Sequence, residues 1–200
     1  AVLNAEDEWA SSLIGRLRSR TLTFGIENGD VNWSDGSLNV MGTGVANVSN
    51  VKLRGRHNLA NIAAGVAACY HLLPDGYDFG GAISEFYAPE HRIEFVRSVD
   101  GVSFYDDSKA TNPDSTIVAL EAFREPLILI LGGRNKGMDF APLAQFIKQR
   151  STVKWVVVMG ESKQSIKESL LAQGFENISE VQGLEEAVMF AYEIADPGDV

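Results

Sequence analysis

Leu127-Ile128-Leu129-Ile130-Leu131 is an unbroken apolar run that stops at Gly132-Gly133. A short run with no polar position, ended by paired glycines, reads as a strand buried on both faces, and such strands belong to mostly parallel sheets covered by helices. The surrounding pattern agrees. From Arg92 onward, apolar strands near 93–98, 102–105, 127–131, 154–159 and 178–181 alternate with amphipathic helices near 113–124, 140–150, 162–173 and 184–195. The spacing predicts an open α/β domain.

Residues before Pro89 follow a different pattern. Thr21 to Ile26 alternates, and Asn28-Gly29-Asp30 and Ser34-Asp35-Gly36 read as hairpin turns, so short antiparallel strands are expected. From His57 to Leu73 the period lengthens: Leu59, Ile62, Ala63, Val66, Ala67 and Tyr70 recur at helical spacing and predict one buried helix, with a shorter one over Phe79–Tyr87. The switch near Pro89 divides the chain into units 1–88 and 89–200 joined by a hinge. Ala1–Ala5 reads as the second half of a strand and Asp196–Val200 as a turn feeding another, so the chain is expected to be an internal piece of a longer polypeptide.

Charge narrows the function classes. Seventeen Lys and Arg against 27 Asp and Glu leave a formal net charge of −10, and acids outnumber bases on both sides of Pro89. Such a field repels phosphate backbones and anionic bilayers, so no nucleic-acid or membrane partner is expected and any anion site must be local. No apolar stretch approaches the roughly 18 residues of a membrane span, and no signal peptide opens the chain. Cys69, the only cysteine, excludes an internal disulfide framework and a Cys-based zinc site and fits a reducing, cytoplasmic setting. Its apolar neighbours Val66-Ala67-Ala68 predict a buried, inert thiol.

In open α/β sheets ligands sit beyond the carboxyl ends of strands, where helix N-termini present amide groups. Two loops occupy that position. In Asp106-Asp107-Ser108-Lys109-Ala110-Thr111-Asn112-Pro113, Asn112 and Pro113 read as the N-cap and first turn of a helix. The polar residues before them can orient a sugar hydroxyl or a metal-bound phosphate and pin an anion. A solvated turn explains Asn112 and Ser108, but Lys109 and Thr111 less well. Gly132-Gly133-Arg134-Asn135-Lys136-Gly137 lacks the spacing G-x-x-x-x-G-K-[ST]. A plain strand-to-helix turn, with Asp139 as N-cap, therefore outweighs a nucleotide cradle, although the glycines permit close backbone approach and Lys136 adds a charge.

Upstream, Asn58 and Asn61 lie three apart on one helix face, as one N-cap or as two amides reading a purine edge. Arg92 fits either a phosphate contact or a surface ion pair. His57, His71 and His91 lack metal-ligand spacing, and no metal ligand is assigned.

Together, Leu-Asn-Ala-Glu-Asp (3–7), Gly-Arg-His-Asn-Leu-Ala-Asn (55–61), Pro-Glu-His-Arg-Ile-Glu (89–94), Asp-Asp-Ser-Lys-Ala-Thr-Asn-Pro (106–113) and Leu-Gly-Gly-Arg-Asn-Lys-Gly (131–137) resemble the Mur ligases. The H-N-x-x-N and H-R elements are shared with folylpolyglutamate synthetases, whereas D-S-K-A-T-N-P is similar to the D-glutamate-adding branch. The resemblance implies the end of a P-loop-type central ATPase domain over 1–88 and a Rossmann-like, amino-acid-binding C-terminal domain, truncated at its end, over 89–200. It implies ATP-dependent addition of D-glutamate to UDP-N-acetylmuramoyl-L-alanine through an acyl phosphate, in peptidoglycan and cell-wall synthesis. Asn58 and Asn61 would then hold adenine, Arg92 and Asp107 the ribose and phosphates, and Lys109, Thr111 and Lys136 the incoming glutamate, with Lys109 and Asp107 as catalytic candidates. Mg2+ ligands are expected mostly outside these residues, the whole protein is expected as a monomer, and this piece alone is expected to be inactive. Both lines of reading place the two lysine loops at adjacent strand ends. The competing readings are another Mur-type or folylpolyglutamate-type ligase and a non-catalytic ligand-binding α/β module.

Overall fold

Asp35 and Gly36 turn the chain in the left-handed region, at φ of 51° and 74°, closing the two-residue hairpin expected from the sequence. They lie in the first of two units, Ala1–Ala88 and Pro89–Val200, of a computed structural model that describes residues 1–134 and 136–200.

The first unit runs β1 (Val2–Asn4), α1 (Glu8–Ser11), β2 (Leu22–Phe24), β3 (Val31–Ser34), β4 (Ser37–Val40), β5 (Thr43–Asn47), α2 (Arg56–Cys69) and α3 (Phe79–Glu85). Its sheet has the order β1-β2-β3-β4-β5. Only β3, β4 and β5 pair antiparallel. The expectation of antiparallel strands is corrected for the rest: β1 and β2 run parallel, and β2 meets β3 in parallel at Phe24 and Val31. Asn28-Gly29-Asp30 is accordingly no hairpin, and the Asp30 carboxylate instead accepts from Thr23 N (2.8 Å) and Oγ1 (2.9 Å).

Val31, Leu38 and Val40 of the sheet pack against Ala63, Val66 and Ala67 of α2 and Phe79 and Ile83 of α3. Trp33 Nε1 donates to Leu59 O at 2.9 Å, tying the first turns of α2 to β3. Cys69 is exposed, contrary to the buried thiol expected from its neighbours. At about 100° per residue, the stripe through Ala63, Val66 and Ala67 leaves position 69 on the flank of the helix, so apolar neighbours in sequence are not neighbours in space.

The second unit runs β6 (Glu94–Val99), β7 (Val102–Asp106), α4 (Pro113–Glu121), β8 (Leu127–Gly133), α5 (Ala141–Gln149), β9 (Val153–Gly160), α6 (Lys163–Ala172), β10 (Ile178–Glu180) and α7 (Leu184–Ile194). β10, β9 and β8 form a parallel sheet in that order, and β6 and β7 form a separate antiparallel pair. The architecture is thus α/β, with a parallel sheet and flanking helices. Val156, Val157 and Val158 are each 0% exposed, so full burial on both faces belongs to the central strand β9. In β8 only Leu127 is buried, because that strand is the outer member of the three. The two terminal residues lie between β7 and β8: Ser103 N donates to Asp199 O, Ile128 N to Val200 O and Val200 N to Pro126 O. Asp199, 3% exposed, accepts from Lys154 Nζ at 2.6 Å. Among the described residues no helix is long and apolar enough to cross a membrane.

Candidate functional site

β7 ends at Asp106, and the loop beyond it is organised by its own side chains. Asn112 caps α4, accepting from Ser115 N at 2.8 Å with Pro113 in the first turn, as its sequence predicts. Asp106 faces two ways: Oδ2 lies 2.7 Å from His91 Nδ1, and Oδ1 accepts from Ser108 N at 2.8 Å. Asp107 Oδ1 accepts from Ile93 N at 3.0 Å. Lys109 N donates to His91 O and Ala110 N to Asp107 O. The loop is thereby fastened to the turn Pro89–Ile93, while the side chains of Arg92, Lys109 and Thr111 are exposed. Of the sequence-selected residues, Asp107 and Lys109 are therefore bonded to Ile93 and His91, the neighbours of Arg92, through the Asp107 carboxylate and the Lys109 N–H, and Thr111 follows on the same loop.

His91, set aside on spacing, is the residue that sequence reasoning missed. Its partner stands fifteen positions away, and only the β6–β7 register, which pairs Glu94 with Asp106, brings them together. Atoms of His91, Glu94 and Asp106 lie within 4.8 Å of one another. Hydrogen bonds from His91 N to Glu94 Oε2 and between the imidazole and Asp106 account for this approach.

The bond to Asp106 holds the His91 imidazole above its ordinary 6.5, with Glu94 and Glu90 adding to the field. The same bond holds the Asp106 carboxyl below its ordinary 3.8. The signs differ. The stabilisation from His91 is complete below pH 6.5 and is lost as pH rises through the raised folded value. That from Asp106 is complete above 3.8 and is lost as pH falls through the lowered one. An NMR titration of the His91 ring is expected to give a midpoint above 6.5, and a midpoint at or below it would contradict the pairing.

The second loop leaves β8. A Cβ on Gly132 would stand 2.6 Å from Met159 Cγ and 2.7 Å from Met159 O, so this glycine permits the close approach of β8 to β9. Gly133 and Gly137 take φ of 130° and 67°, the freedom for which glycine is suited. Gly133 O accepts from Ser162 N (3.1 Å) and Ser162 Oγ (3.2 Å), with Ser162 only 2% exposed. Lys136 is exposed, and Asn135 lies outside the described residues. Asp139 is not the N-cap expected: Phe140 occupies that position without a side-chain cap bond, and Asp139, one residue earlier, accepts at Oδ1 from Ala141 N, two residues on. The two lysine loops do not leave adjacent strands either, because residues 199 and 200 bond to both β7 and β8.

In the first unit neither asparagine is an N-cap. α2 starts at Arg56 on Gly55, whose φ of 95° needs no side chain. Asn58 Nδ2 turns back to Arg54 O at 2.7 Å, and Asn61 Nδ2 reaches Asn58 Oδ1 at 3.4 Å. These bonds line the two amides along one helix face. Beside them, Arg56 pairs with Glu27, and the backbone of that loop donates to Glu6 from Ile26 (2.8 Å) and Asn28 (3.2 Å) as well as from Glu27. Burial alone would raise the Glu6 carboxyl, but these donors and Arg56 hold it below the usual range.

Comparison with known proteins supplies the remaining findings. Residues 91–200 match a family described as "Mur ligase, glutamate ligase domain". The chain is 42% identical over 207 residues to UDP-N-acetylmuramoylalanine--D-glutamate ligase of Pelotomaculum thermopropionicum, covering 100% of this chain and 45% of that protein. It superposes on MurF from Acinetobacter baumannii with a TM-score of 0.74 at 18% identity, over 97% of this chain and 45% of the other. On MurF ligase from Thermotoga maritima, solved with ADP, the TM-score is 0.67 at 19% identity, over 100% and 48%. The chain spans a little under half the length of the curated relative it matches.

Proposed function

Because this chain belongs to the Mur ligases, with residues 91–200 as the glutamate ligase domain, we propose that the full protein joins D-glutamate to UDP-N-acetylmuramoyl-L-alanine with conversion of ATP to ADP and phosphate. This is a cytoplasmic step of peptidoglycan synthesis. The observation that carries the reading is the pair of exposed lysines, Lys109 and Lys136, on loops that leave strand ends in a chain of net charge −10. Local positive charge in an acidic domain attracts a dicarboxylate.

In the first step the γ-phosphoryl group of ATP passes to an oxygen of the alanine carboxylate, and ADP leaves. The uncharged amine of D-glutamate then attacks the acyl carbon. The C–O bond to phosphate breaks, phosphate departs with the electron pair, and the nitrogen releases a proton as the amide forms. Lys109 and Lys136 hold the carboxylates of the incoming amino acid, and Thr111 adds a hydroxyl donor. In the second unit Arg92 and Asp107 are the candidates for nucleotide phosphates and ribose, and in the first unit Asn58 and Asn61 are the candidates for an adenine edge. The ADP held by the Thermotoga maritima fold neighbour supports a nucleotide as cosubstrate. A magnesium ion fits poorly at the cluster of His91, Glu94 and Asp106, since one of the three donors there is an imidazole nitrogen, already bonded to Asp106, and this hard cation takes oxygen ligands. No step is assigned to a metal at that cluster.

The test is a coupled assay of ADP release by the full-length protein. Release is expected to require both D-glutamate and UDP-N-acetylmuramoyl-L-alanine. Equal release with another amino acid in place of D-glutamate would reassign the substrate, and binding without turnover would favour a non-catalytic module.

A further inference from the structure

Arg92 sits between two residues in the left-handed region, His91 at φ 65° and Ile93 at φ 45°. Histidine tolerates that conformation moderately, but for a β-branched isoleucine it is a true outlier that the surroundings must impose. Those surroundings are visible. The Ile93 side chain is 8% exposed, set in the core with Leu120 and Phe123, and its N–H is fixed by Asp107. Arg92 N donates to Pro89 O, His91 N to Glu94 Oε2, and His91 O accepts from Lys109 N. Buried packing thus accounts for Ile93. His91 is different, because its side chain is 52% exposed and its partner Asp106 34%. An exposed pair of this kind contributes little to folding.

We propose that His91 and Asp106 are positioning residues: their side-chain bond fastens the turn carrying Arg92 to the loop carrying Lys109, so that both cations are presented by one hydrogen-bonded unit. This rests on the ligase reading above, which gives Arg92 and Lys109 their substrates. The pair touches no reacting atom. It acts by removing freedom from the backbone between them, since misplacement of a cation by even an ångström weakens a transition-state contact far more than it weakens the fold.

The test uses the full-length protein with two substitutions at one site. His91→Ala removes the bond and retains a Cβ in left-handed backbone. His91→Asn places an amide donor near the position of Nδ1 and tolerates that backbone well. For His91→Ala we expect kcat to fall about tenfold or more with the KM for UDP-N-acetylmuramoyl-L-alanine within about twofold. Amide exchange at Ile93 and Lys109 is expected to quicken while the melting temperature stays within a few degrees. His91→Asn is expected to recover most of kcat and the slow exchange. Full kcat in His91→Ala, no recovery in His91→Asn, or unchanged exchange at Lys109 would each overturn the proposal. If the unsubstituted protein fails to ligate D-glutamate, the ligase reading falls, and the exchange comparison still decides whether the pair holds the turn.

Discussion

Replacing Lys136 by alanine in the full-length protein is expected to raise the apparent KM for D-glutamate roughly ten- to a hundredfold while leaving that for ATP nearly unchanged. A hydrogen bond to a charged group contributes about 1.5–3 kcal/mol, and about 1.4 kcal/mol corresponds to a factor of ten. Lys136 is exposed on a loop that Gly133 and Gly137 bend through φ of 130° and 67°. Its removal deletes a charge without disturbing packed atoms, so the loss belongs to ligand binding and not to folding. Steady-state kinetics with each substrate varied in turn checks this. A mutant that loses ATP affinity and keeps its response to glutamate would make Lys136 a nucleotide ligand.

The second large effect is expected from Gly132→Ala. The new Cβ would meet the Met159 carbonyl oxygen at 2.7 Å and Met159 Cγ at 2.6 Å. The side chain can swing aside but the backbone oxygen cannot, so the end of β8 must move away from β9. Overpacking of this kind costs about 1–3 kcal/mol. For a chain of this size, that lowers the melting temperature by roughly 2–4 °C per kcal/mol. Because Gly133 O also holds the buried Ser162, the displacement is carried into the loop bearing Lys136, and glutamate affinity should fall with stability. Gly137→Ala is the control, since nothing lies within 4 Å of its Cβ; only the left-handed φ is strained there, at about 1–2 kcal/mol. Equal melting temperatures for Gly132→Ala and the parent protein would show that the strand ends are not locked.

The alternation of strands and helices after Arg92 was legible because each element must bury its own apolar face, and that requirement is written at periods of two and 3.6. The Asp35-Gly36 hairpin and the Asn112-Pro113 helix start were legible for a related reason: backbone conformation there is set by the residues themselves. The exposed lysines of both loops were found the same way, by their place between a strand and a helix.

Pairing direction was not. Nothing within Leu22–Phe24 distinguishes a parallel neighbour from an antiparallel one, and β1 and β2 proved parallel. The buried thiol at Cys69 and the N-cap at Asn58 or Asn61 failed for want of a helix phase and a helix start, decided respectively by the face that α2 turns to β3 and by Gly55. The insertion of residues 199 and 200 between β7 and β8 separated two loops that sequence order had made neighbours. His91 and Asp106 met only through the β6–β7 register. Local periodicity and turn chemistry are properties of short segments and survive in the sequence alone. Sheet order, helix phase and long-range polar pairs come from the joint free energy of segments far apart in the chain, and only the folded structure decides them.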